Sequence, residues 1–91
     1  GIAFVMQPLS TDQGSTGGGI GYAGITPSVA VEFDTWFNSE NSDPFSNDHA
    51  AVTYNGDVSG HLNSVDLNNI EDGNWHSVKI EWDPNLKTLK V

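Results

Sequence analysis

The stretch Val29-Ala30-Val31-Glu32-Phe33-Asp34-Thr35-Trp36-Phe37-Asn38 decides how this chain folds. From Val29 to Trp36 it is rich in β-branched and aromatic residues and alternates with a period of two, which predicts a strand with two distinct faces. Glu32, Asp34 and Trp36 fall on one face, and Val31, Phe33 and Thr35 on the other. Two acids spaced this way stand roughly 6.5–7 Å apart at the backbone, so their carboxylates can converge on one cation. The polar loop over residues 37–48 offers Asn38, Asp43 and the carbonyls exposed where the strand ends. Such mixed oxygen donors are what Ca²⁺ takes. His49 adds an imidazole, which together with carboxylates suits Mn²⁺ or another transition ion better. The set suffices for two adjacent ions, with Asp34 and Asp43 bridging. The other reading is an outward polar strand face that leads into a solvated acidic loop.

Outward from this stretch, the periodicity is two wherever there is any. Gly1 to Met6 reads as a strand already under way, and Leu86 to Val91 as one cut off, so a segment of a longer chain is expected. Residues 7–28 form a Gly/Ser/Thr-rich connection of about 22 residues, too long for a plain link and expected to be either a functional loop or one that carries backbone contacts to a ligand. Within it, Gly19 to Gly24 matches G-x-G-x-x-G literally. Pro27 and a β-branched run follow, so no helix is available to meet a dinucleotide phosphate. His49 to Tyr54 predicts a strand, and Asn55-Gly56 a tight hairpin turn. Trp75 to Trp82 alternates, with Val78, Ile80 and Trp82 on one face. Asp83-Pro84-Asn85 predicts a β-turn. His61 and His76 read as ordinary strand or turn residues. No window carries amphipathic helical spacing. The expectation is an all-β chain, an antiparallel β-sandwich or jelly roll, forming one domain at most.

The charge pattern narrows the function. There are 12 Asp and Glu against 3 Lys and Arg, a net charge of −9, and no Cys. Lys79, Lys87 and Lys90 all lie near the end of the chain, whereas Glu32, Asp34, Glu40, Asp43 and Asp48 crowd the central strand and loop. A nucleic-acid partner would need a basic stripe, and none exists. Membrane insertion would need an apolar run of roughly 18 residues. Without Cys there is no thiolate nucleophile and no Cys-ligated zinc.

The segment Val29–Asn38 resembles the metal-loop motif of the L-type (legume-like) lectins, with the flavour of bacterial members. The likeness extends to Gly1-Ile2-Ala3-Phe4, to the glycines at 17–21, to Asp43-Pro44 and His49, and to Asp72-Gly73-Asn74-Trp75-His76 and Trp82-Asp83. It covers nearly all of residues 1–91, as a partial lectin-like domain from the middle of a longer one. The resemblance implies a concanavalin A-like jelly roll that binds a glycan and is not an enzyme, located outside the cell or at its surface. It implies that Glu32, Asp34, Asp43 and His49 hold the transition ion. It implies that Asp34, Asn38, Asp43 and the Trp36 carbonyl hold Ca²⁺, which orders the loop carrying Asn38. The Asn38 amide would donate to a sugar hydroxyl, Trp36 would stack on the ring, and Gly18 or Gly19 would donate a backbone N–H.

Two departures from the family pattern stand out. The family's sugar-accepting aspartate precedes the glycine at Gly1. The step from Asp43 to His49 is one residue longer than expected, so either the loop bulges or Asp48 or another acid replaces a ligand. Two alternative functions follow from the residues. One is a surface or adhesion domain in which the ion only stiffens a loop. The other is a glycoside hydrolase of the same fold, whose strand motif E-x-D-x-x-E would need a second acid where this chain has Phe37.

Overall fold

The computed structural model describes residues 1–91. Its strands are β1 (Ile2–Met6), β2 (Val29–Asp34), β3 (Asp48–Tyr54), β4 (Asn63–Asn68), β5 (Glu81–Asp83) and β6 (Thr88–Lys90). Helical structure is limited to two 3₁₀ turns, Gly17–Gly19 and Ser39–Asn41. Strands β1 to β4 form one antiparallel sheet in sequence order, and β5 and β6 form a separate hairpin. The expected all-β, antiparallel class is therefore what the chain adopts.

Register assigns the two faces of the sheet. Ala3, Glu32 and Ala51 lie side by side across β1, β2 and β3, and Asp34 lies opposite His49. Ala30, Glu32 and Asp34 thus share a face with His49, Ala51 and Thr53. The long connection folds back over this face. Tyr22 and Ile25 pack with Ala30, joined by Ala3, Val5, Ile20 and Val58, and this is the core. The 7–28 segment is thus a lid of the core as well as a loop. The opposite face carries Ile2, Phe4, Tyr54 and Val65, all exposed.

Three expectations are corrected. Strand β2 stops at Asp34 rather than Trp36, because the Asp34 carboxylate captures the Trp36 N–H at 3.0 Å and turns the backbone away from the ladder. Trp36 therefore does not share the strand face with Glu32. Of Trp75–Trp82, only Glu81 and Trp82 join a strand. Residues 75–80 have no neighbouring strand to pair with in this chain, so their alternation has no ladder to join, and Trp75 is fully exposed. Asn55-Gly56 does turn the chain, both residues having positive φ and the Asp57 N–H donating to the Tyr54 carbonyl at 3.1 Å, but no strand pairs directly after the turn. Residues 55–62 make an excursion before β4 begins. At Asp83-Pro84-Asn85 the turn forms as expected, with Asp83 accepting the N–H groups of Asn85 and Leu86.

Gly56 locks this excursion to the long connection. Its carbonyl accepts the Gly24 N–H at 2.9 Å. A Cβ placed on Gly56 would lie 2.4 Å from the backbone nitrogens of Gly24 and Ile25. Gly73 has a similar positive φ and nothing within 4 Å of its own added Cβ. Gly56→Ala is expected to destabilise the full-length protein by about 1–3 kcal/mol. Gly73→Ala should cost about 1 kcal/mol, the left-handed backbone penalty alone. Denaturant melts of both variants separate the packing contact from the φ effect.

Candidate functional site

Glu32 stands at the centre of the covered sheet face, and its cross-strand neighbours Ala3 and Ala51 are small enough to leave space above it. The residue is 2% exposed, which excludes the outward polar reading. Burying a carboxylate demands donors. The Tyr22 hydroxyl donates to Glu32 Oε2 at 2.7 Å, and His61 Nε2 lies 3.0 Å from Glu32 Oε1. Burial pushes the Tyr22 hydroxyl well above its ordinary pKa, and the adjacent Glu32 carboxylate pushes it further, so it remains a donor at neutral pH.

His49 is wholly buried, and its Nδ1 lies 3.2 Å from the Asn47 carbonyl. A carbonyl only accepts, so Nδ1 is the donor in this contact and Nε2 is left to face the acids. That Nε2 has no hydrogen-bond partner. It faces acids on two sides. The ligand atoms of Asp34, Asp43 and His49 lie within 4.8 Å of one another, as do those of Glu32, His49 and His61. An orphaned, buried imidazole nitrogen among carboxylates fits a cation site.

The loop after β2 is closed upon Asp43. The Asn38 N–H donates to Asp43 Oδ2 at 2.6 Å, and the Asp43 N–H returns to the Asn38 carbonyl at 3.4 Å. The Asn38 side-chain amide donates to Glu40 at 2.8 Å. The β3–β4 register shifts between Asp48 and His49, where one step on β3 faces two on β4 and leaves Leu67 unpaired. Asp48 accepts the Ile70 N–H and does not enter the acid cluster, whereas Asp43 does.

Beside the cluster lies an open cavity of about 640 Å³. Asp34, Trp36 and Asn38 form one wall, and Ser15 to Gly18 form the other. Trp36 is 74% exposed, so its ring is free to receive a ligand. Asn41 bridges the two walls by donating to the Gly18 carbonyl at 3.3 Å. Of the two glycines read as donors, Gly18 lines the cavity. Gly19 does not, and its N–H is spent on the Thr16 carbonyl. The structure thus draws Glu32, Asp34, Asp43 and His49 into one polar cluster, and Gly18, Trp36 and Asn38 around one cavity, with Asp34 in both.

Sequence reading missed Tyr22 and His61. An isolated tyrosine amid glycines was the available signal for Tyr22. His61, read as an ordinary residue, is carried to Glu32 by the 55–62 excursion, and no local pattern announces that.

The model of the legume lectin domain family matches residues 1–91. A curated relative, the 2-acetamido-2-deoxy-D-galactose-binding seed lectin 2 of Cytisus scoparius, is 35% identical over 96 residues. That alignment takes in 98% of this chain and 37% of the relative, so the chain spans little more than a third of the relative's length. No solved structure matches the chain at comparable significance.

Tyr22→Phe keeps the ring in the core and removes one donor from a buried carboxylate. In the chelator-treated full-length protein it is expected to cost about 1.5–3 kcal/mol, the range for a hydrogen bond to a charged group. Urea unfolding measures this, and a change below ~0.5 kcal/mol would show that Glu32 does not depend on Tyr22.

Proposed function

Because the chain belongs to the legume lectin domain family, we propose that it is a non-enzymatic carbohydrate-binding domain whose sugar site is the cavity between Trp36 and the Gly17–Gly19 turn. The observation that carries this reading is the convergence of Gly18, Asp34, Trp36 and Asn38 on one cavity. An exposed indole offers an apolar platform for the C–H face of a sugar ring. The backbone N–H of Gly18 and the Asn38 amide are the hydroxyl-binding donors. The glycines let backbone come close where any side chain would fill the space. An aromatic platform with a few placed polar groups is the usual make-up of a small-ligand site.

Glu32, Asp34, Asp43 and His49 would hold a transition ion, Mn²⁺ or a relative. Asp34, Asp43, Asn38 and the Trp36 carbonyl would hold Ca²⁺. The unpartnered His49 Nε2 supports the first assignment, and the loop closed upon Asp43 supports the second. When bound, the ions neutralise the carboxylates and stiffen the loop from Trp36 to Asp43. The Asn38 amide lies on Glu40 at 2.8 Å, so the order of this loop is expected to govern its availability to a sugar hydroxyl. A location outside the cell or at its surface is part of this reading.

The test uses the full-length protein and a panel of simple sugars. N-acetylgalactosamine is the first probe, since the Cytisus relative is named as binding it. Asp34→Ala is expected to abolish both Ca²⁺ and sugar binding in calorimetry. Trp36→Ala should weaken sugar binding about tenfold, equivalent to ~1.4 kcal/mol. Full sugar affinity in Asp34→Ala would break the link between ion and sugar.

A further inference from the structure

We propose that His61 is a second imidazole ligand at the transition-ion position, making it a two-histidine site that selects Zn²⁺ over Mn²⁺. This rests on the reading that the acid cluster holds metal, and goes beyond it in naming both a ligand and a preference. Glu32 Oε1 stands between two imidazole nitrogens, 3.0 Å from His61 Nε2 and 3.8 Å from His49 Nε2. His61 Nε2 is also 3.8 Å from Asp43 Oδ1. Ligand atoms that share one ion at about 2.1 Å stand roughly 3–4.2 Å apart, and all three distances fall in that range.

Burial supports the same assignment. The His61 side chain is 7% exposed, against 2% for Glu32 and for Asp43. An imidazole that merely decorated a turn would keep an edge in water. Instead, residues 55–62 leave the β3–β4 ladder and return His61 to the middle of the covered face. The independent mark of a cation site is the buried His49 Nε2, which has no partner and belongs to the same triad. Two imidazoles shift the donor set away from the oxygen-rich environment Mn²⁺ accepts and toward Zn²⁺ and its neighbours.

The test uses the full-length protein, stripped by chelator, saturated with Ca²⁺ and loaded with slightly less than one equivalent of Zn²⁺. X-ray absorption at the zinc edge counts coordinated imidazoles. Two are expected in the wild type and one in each of His61→Ala and His49→Ala. Competition titrations should show Zn²⁺ affinity falling at least ~10-fold in His61→Ala, with a smaller loss for Mn²⁺. His61→Gln keeps a side-chain N–H for Glu32 but no imidazole, so it is expected to behave like His61→Ala. Circular dichroism melts in Ca²⁺ confirm that each variant is folded. One imidazole in the wild type, or wild-type Zn²⁺ affinity in His61→Gln, overturns the proposal while leaving a metal-binding cluster in place. Failure of the wild type to take up Zn²⁺, Mn²⁺ or Ca²⁺ overturns both readings.

Discussion

A buried carboxylate must be satisfied from within the protein, and Glu32 imposes that demand on the whole chain. No lysine approaches it; the lysine ion pair, Lys79 with Glu81, lies on the surface. The donors that serve Glu32 come from separate elements. Tyr22 reaches it from the long connection and His61 from the β3–β4 excursion, while His49 sits diagonally across on β3. Satisfying one side chain therefore draws residues 7–28 across the sheet and holds the excursion against it.

The interior shares this polar character. Ten of 91 residues are buried, and four of them are Ser28, Glu32, His49 and Thr53. So small an apolar core gives up little free energy on its own, and hydrogen bonding within the covered face contributes a correspondingly larger share of the order. The two faces of the sheet are consequently different in kind. One is small, polar and capped by the chain's own loops, and the other is apolar and partly open, burying Val31 and Ala50 but exposing Ile2, Phe4, Tyr54 and Val65. A β-sandwich covers such a face with a second sheet.

The central strands and the acid cluster were legible in the sequence because both are local. Period two from Val29 to Asp34 determines which side chains share a face, and the spacing of Glu32 and Asp34 needs nothing distant to be read. Asp83-Pro84-Asn85 was legible for the same reason, since a turn is a property of four residues. Long-range choices were not. Trp36 left the predicted face because its N–H donates to the Asp34 carboxylate instead of joining the ladder. The alternation of Trp75–Trp82 found no partner strand over most of its length. Tyr22 and His61 sit in segments without periodicity, so only the folded backbone shows that both point at the same carboxylate.

Asp34 is the one side chain that belongs both to the acid cluster and to the wall of the cavity. Two sites that share a carboxylate cannot be filled independently. Whatever occupies the cluster changes the charge and the set of the Asp34 side chain, and with it the free energy of whatever enters the cavity. That coupling is reciprocal by thermodynamic necessity: the factor by which the first occupant alters affinity for the second equals the factor by which the second alters affinity for the first. A ligand entering the cavity would thus act as a brake, or a release, on the exchange of the ion beside it.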